Sequence, residues 1–402
     1  MRKQSFVPIL AACSFCAVLA APLARANDAV QPEGHDFSVV YQFTRHHGRS
    51  PQCGVLPLPD GALIGVTANG GAGKAGTIFR IGPDGTHTVV HSFGQSSEDG
   101  QYPVSCLLRA SDGSIYGTTL SGGGFSGGIA FRIEPDGSAY RILHAFGASP
   151  DGPSTPSSTL VEATGGDFYG TTGDGGGGAG TIYRMTPAGD VTLIHALTAK
   201  GQQGRGPGTL VQAADGNLYG TTGAGGANGA GVFFRVRLDG AFKVLHDFDS
   251  VAEGAGPGGG IVEGKDGSFY GTLASGGPRG YGSAYRLKRD GALSVLHAFG
   301  DDPDKGLFPR GLVREPDGTF YGTTEFGGSQ RRNSGFGTLF KMNAQGRLTT
   351  LHRFLIPPGG HYPGGGLALG PDGFLYGTCD SGGERGHHSR GTVFRIAPGK
   401  AD

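Results

Sequence analysis

The chain has 402 residues, of which 81 are Gly, 24 are Pro and none is Trp, and only 16% are charged, against ~25% in an average globular domain. Its 33 Lys plus Arg balance 33 Asp plus Glu, so no long-range field draws in nucleic acid or an anionic membrane, and neither is expected as a partner. Gly lacks the every-third-residue period of collagen, apolar clusters such as Val232-Phe233-Phe234 exclude a disordered linker, and helix formers at 3.6-residue spacing are missing past the N-terminus, so the chain reads as all-β.

In chain order, Arg2 and Lys3 precede an apolar run from Phe6 to Leu23 and the small-x-small triplet Ala24-Arg25-Ala26. This reads as a secretory signal over residues 1–26, cleaved before Asn27. Leu10-Ala11-Ala12-Cys13 has the form of a lipobox, but the apolar run before it is short, so no lipid anchor is expected at Cys13. The mature chain, one domain over residues 27–402, is expected in the periplasm or outside the cell without a membrane span. It keeps Cys53, Cys106 and Cys379. One bridge is conceivable among them, but the odd number and the lack of metal-ligand spacing favour buried thiols.

Beyond the signal, the string Asp-Gly-x-apolar-Tyr-Gly-Thr-Thr recurs at residues 112–119, 215–222 and 317–324, with variants at 60–67, 165–172, 266–273 and 372–379. Its central glycines, Gly65, Gly117, Gly170, Gly220, Gly271, Gly322 and Gly377, are spaced 52, 53, 50, 51, 51 and 55 residues apart. Each copy divides into four strand-sized pieces, in copy 4 residues 209–212, 217–222, 232–236 and 242–248. Asp-Gly pairs supply the positive φ of tight hairpins, so each copy is an antiparallel meander. Seven such copies predict a seven-bladed β-propeller with four-stranded blades. Copy 7 ends at its third strand, whereas residues 37–43 match the fourth-strand pattern. The N-terminal strand is therefore expected to complete blade 7 and remove the open edge.

The units Gly391-Thr392-Val393-Phe394-Arg395-Ile396 and Leu245-His246-Asp247-Phe248, with Asp-Gly-x-Leu-Tyr-Gly-Thr-Thr, resemble the GloVer (Gloeo/Verruco) tandem repeat of exported bacterial choice-of-anchor proteins. The resemblance covers nearly all of residues 37–396. It implies the architecture and an exported location, but carries no settled activity and no catalytic residues.

His91, His144, His195, His246, His297 and His352 share one register in the fourth strand, with Tyr41 in the N-terminal strand. Equivalent positions on separate blades diverge unless their strand lines the central channel, so these residues read as structural, as do Tyr116, Tyr219 and Tyr321. The loops joining second to third strands, on the same face as the exits to the next blade, run seven or eight residues in copies 1–5 but twelve over 325–336 and eleven over 380–390. His46, His47, Arg331, Arg332, His361, Arg385, His387 and His388 fall in this sector and are the candidate ligand-binding residues, with only His35 and His87 elsewhere outside the register. Guanidinium forks there would grip carboxylate or phosphate. No cofactor is expected, and a divalent metal at His46, His47, His387 and His388 is the minor reading.

No GxSxG, HExxH, P-loop or catalytic Cys/His signature is present. The composition favours an exported binding module for an extracellular glycan, protein or envelope component. The alternative is a metal- or His/Arg-dependent hydrolase or lyase acting on an extracellular polymer, with Asp380 and Glu384 as acid and base.

Overall fold

The computed structural model describes residues 36–44, 46–198, 202–329, 335–355, 359–364, 366–383 and 390–398. The proposed signal peptide lies outside them. The described residues form seven small antiparallel sheets arranged as a seven-bladed β-propeller. Blade 4 is representative: Val211–Gln212 pairs with Leu218–Ala224, which pairs with Val232–Val236, which pairs with the outermost strand Phe242–Asp247. The predicted strands recur within a residue or two, except that the first is broken, with Arg205–Pro207 pairing farther along Leu218–Ala224.

Two glycines per hairpin are not enough to explain the composition; packing is. The central glycine of the second strand faces the third-strand aromatic, so a Cβ on Gly65 or Gly220 would lie 2.7 Å from Cζ of Phe79 or Phe234. The ring occupies the space a side chain would need. Cores lie between blades, as where Ile64, Val66 and Ile78 of blade 1 meet Leu107, Ile115 and Phe131 of blade 2.

The first strands converge: Gly259 touches Gly311 and Gly54 touches Gly366. Closure follows the expected route. Phe37–Gln42 pairs with Thr392–Ile396, which pairs with Leu375–Ser381, so the N-terminal strand is the outermost strand of blade 7. Third and outermost strands share a bulge in every blade, for example between Ile182 and Tyr183, which strengthens the local twist.

The cysteine reading needs correction. Cys53 and Cys106 form a disulfide between the segments leading into the first strands of blades 1 and 2, and among the described residues Cys379 is the free thiol, and it is buried. The convergence of first strands brings together two residues 53 positions apart, which spacing alone does not disclose.

Candidate functional site

The repeated histidines lie on outermost strands, far from the axis, and His91, His195 and His352 clasp the next blade through their rings. His91 stacks on Tyr140 of blade 2 with centroids 3.9 Å apart, and its Nε2 lies 3.2 Å from both carboxylate oxygens of Asp99. His195 stacks on Phe242 and bonds Gln203, His246 bonds Glu253, and His352 stacks on Phe37. The acid or amide, Asp99, Gln203 or Glu253, sits in the exit to the next blade. Tyr116 and Tyr219 donate their hydroxyls to Asp112 and Asp215 of their own hairpin turns.

Among the candidate rim residues, His47 lies at the seam of blades 7 and 1. Its Nδ1 is 2.5 Å from the Tyr41 hydroxyl and its ring packs on His87 at 4.8 Å. His87, placed elsewhere by sequence, in fact joins this seam by stacking on Tyr41 at 4.2 Å. Burial, then the neighbouring His47, pushes His87 down to about 4. His46 is exposed in the same turn. His361 lies at the preceding seam, stacked on Phe336 of blade 6 at 3.8 Å. Arg331, Arg332, Glu384, Arg385, His387 and His388 fall outside the described residues. Among the described residues no group of three or more His, Cys, Asp or Glu is arranged to hold a metal.

Sequence reasoning passed over a second set of residues on this loop face. One residue before a proline enters each first strand in the left-handed region: Ser50, Tyr102, Thr155, Gly206, Gly256, Phe308 and Tyr362, with φ from 55° to 64°. Each amide donates to a carbonyl of the preceding blade, as Phe308 does to Tyr281 and Tyr362 to Phe336. This staple fixes where the adjoining side chains point, although left-handed backbone is unfavourable for non-glycine residues and the following proline adds to the restriction.

Beside the staple, the repeat position after Tyr-Gly-Thr-Thr holds Ala68, Leu120, Gly173, Gly223 and Ala274 in blades 1–5, but Glu325 and Asp380 in blades 6 and 7. The residue after the entry proline is Arg310 in blade 6, where blades 4, 5 and 7 have glycine, and Arg310 bridges to Glu325. Burial pushes the Asp380 carboxyl up, a Ser50 hydrogen bond pulls it back, and the Glu325 charge raises it further. Asp380 Oδ1 is buried and has no hydrogen-bond partner among the described residues. In sequence these substitutions stand out only within their repeat column, not as histidines or as lengthened loops.

The opposite face carries a groove of about 730 Å³ between blades 5 and 6, lined by Lys265, Asp266, Arg286, Asp317, Asn343 and Gln345 among others. Elsewhere a first-strand carboxylate or amide closes such a seam, as Glu162 does by accepting from the Ser111 amide at 2.7 Å. Blade 6 has Arg314 at that position, and the seam is bridged instead by Lys265 Nζ donating to the Asp317 carbonyl.

Solved structures match this chain at low identity. An oligogalacturonate lyase from Vibrio parahaemolyticus is 10% identical, with 91% of this chain and 97% of that one covered and a TM-score of 0.55. A gluconolactonase from Xanthomonas campestris is 13% identical over 92% and 91%, with a TM-score of 0.43, and a chain of a nidogen/laminin complex is 15% identical over 69% and 90%, with a TM-score of 0.44. No curated protein matches. The Gloeobacter/Verrucomicrobia repeat matches residues 29–178, 60–265 and 256–402, end to end along the propeller, and the chain belongs to that repeat family.

Proposed function

We propose that the protein is an exported binding module that takes its ligand on the loop face of blades 6 and 7. The observation that carries this reading is the change of chemistry at one repeat position, from Ala, Leu or Gly in five blades to Glu325 and Asp380 in two. All seven blades meet the same folding requirement there, and five meet it without a charge. Burying a carboxylate costs free energy unless it is paired and bonded, so folding gives no reason for Asp380. A half-buried carboxylate with an unbonded oxygen suits a ligand that brings its own donors. The Cys53–Cys106 disulfide supports export, since such bridges persist in oxidising compartments.

The test is binding by purified residues 27–402 to immobilised glycans and envelope fractions. The double variant E325Q/D380N is expected to bind about tenfold more weakly, a loss of ~1.4 kcal/mol, while remaining folded by circular dichroism. Equal binding by variant and wild type would overturn the reading.

One observation favours the second reading, a hydrolase or lyase acting on a polymer. Asp380 is shifted toward the protonated state, chiefly by burial, and a carboxyl that holds its proton can serve as a general acid. Turnover of a polysaccharide that D380N abolishes and E325Q alters in pH profile would establish it.

A further inference from the structure

Next to the Arg310–Glu325 pair, six rings run across three blades. Tyr281 of blade 5 packs on Phe308 at 5.5 Å, Phe308 on Phe326 at 5.8 Å, and Phe326 on Tyr362 of blade 7 at 5.3 Å, each edge to face. Phe336 continues the run from Tyr362 to His361. All six are half-buried and keep part of their surface in solvent.

These rings are not part of the repeated scaffold. The column holding Tyr281 and Phe336 is Ala75, Gly127, Ala179 and Ala230 in blades 1–4, and the column holding Phe326 is Asn69, Ser121, Asp174, Ala224 and Ser275 in blades 1–5. Phe308 and Tyr362 occupy the left-handed position that Gly206 and Gly256 fill in blades 4 and 5. Tyr102 fills the same position in blade 2, but of these three residues only Phe308 and Tyr362 pack on further rings along the loop face, and that packing at a strained position where glycine serves elsewhere points to a role other than folding.

We infer that this aromatic run is a binding strip for a neutral glycan chain, with pyranose C–H faces against the rings and sugar hydroxyls donating to Glu325 and Asp380. The inference rests on the loop-face reading above and names its ligand class. Edge-to-face packing already restricts the rings, so little side-chain freedom remains to be lost on binding. The polar groups beside the strip decide between occupants. A proline-rich peptide also docks on aromatic grooves, but its prolines bring no N–H, whereas carboxylates accept and need donors. Every sugar residue supplies hydroxyl donors.

The experiment measures affinity of residues 27–402 for cellohexaose, laminarihexaose, xylohexaose, chitohexaose and a polyproline peptide, by calorimetry or affinity electrophoresis. F308A/Y362A is compared with Y102A, which changes the equivalent staple position in blade 2, where Tyr102 is 40% exposed. At least one oligosaccharide is expected to bind, about tenfold more weakly to F308A/Y362A and unchanged to Y102A, with all three proteins folded by circular dichroism. Binding of no oligosaccharide, or preference for the peptide, overturns the glycan inference; envelope binding lost in E325Q/D380N would then leave the loop-face reading standing. Equal oligosaccharide binding by F308A/Y362A and wild type also overturns it, and if E325Q/D380N binds equally too, the loop-face reading fails with it.

Discussion

The ring of His352 lies on that of Phe37 with centroids 3.7 Å apart and planes 5° from parallel. This stack joins blade 6 to the N-terminal strand that closes blade 7, and Phe37 also meets Phe354 and Phe394. The same outer-strand clasp appears between blades 7 and 1 as Tyr41 on His87, and between blades 1 and 2 as His91 on Tyr140. Phe37→Ala removes the ring that holds the closing strand in place, so a loss of about 2–4 kcal/mol is expected, read as a lower denaturant midpoint. Deleting residues 36–43 goes further by baring the edge of Thr392–Ile396, and aggregation on size-exclusion chromatography is the expected outcome.

Acidification should weaken the clasps. Burial pushes His352 down from 6.5 to about 4, His87 falls to about 4 by burial and the nearby His47, and burial lowers His144 and His297. As pH drops from about 6.5 toward about 4, the unfolded chain takes up protons that the folded chain refuses, so stability falls across that window and stops falling below it. Asp380 acts in the opposite sense, because its raised carboxyl holds a proton in the fold that the unfolded chain releases. For His352 alone the loss is on the order of 3 kcal/mol. Denaturation midpoints at neutral and acid pH should lie closer together in H352F than in wild type, because its ring stays on Phe37 but cannot titrate, while His87, His144 and His297 still do. An undiminished pH slope in H352F would remove His352 from the account.

The disulfide makes a separate prediction at the axis. Cys53 and Cys106 close a loop across 53 positions, for which chain-entropy arguments give about 4 kcal/mol. Reduction, or C53S/C106S, should lower the denaturant midpoint accordingly. Cys379 is buried, and its thiol is pushed far up by that burial. It should resist alkylation until the propeller unfolds, so mass spectrometry of native protein should find no alkylated cysteine.

Fold and closure were legible because they are periodic. The hairpin turns, the Gly beneath each third-strand ring and the displaced outer strand at residues 37–43 recur or are missing at fixed spacing, and seven copies average out local ambiguity. Cys53–Cys106 and the His87–Tyr41 contact were not legible, because both join neighbouring blades and depend on how blades are staggered. The loop-face residues fall between these cases. Glu325, Asp380, Phe308 and Tyr362 sit inside the repeat, but they carry information only as departures from it. A histidine stands out by residue type alone, whereas a glutamate or phenylalanine that replaces alanine or glycine stands out only against the other copies of its column.

Those departures should cost stability, which gives the last prediction. Thr155 and Phe308 share a left-handed φ near 55–57° with Gly206 and Gly256 at 62–64°. Left-handed backbone costs a side-chain-bearing residue roughly 1–2 kcal/mol, and glycine avoids it. Thr155→Gly should therefore stabilise the propeller by about 1 kcal/mol after the extra unfolded-state entropy of glycine is subtracted. Phe308→Gly relieves the same strain but forfeits the ring packing on Tyr281 and Phe326, so its net change should lie near zero while ligand binding falls. Denaturation of both variants beside a binding assay separates the two effects. If Thr155→Gly destabilises instead, the left-handed staple is not strained, and strain no longer marks Phe308 as a residue kept for binding.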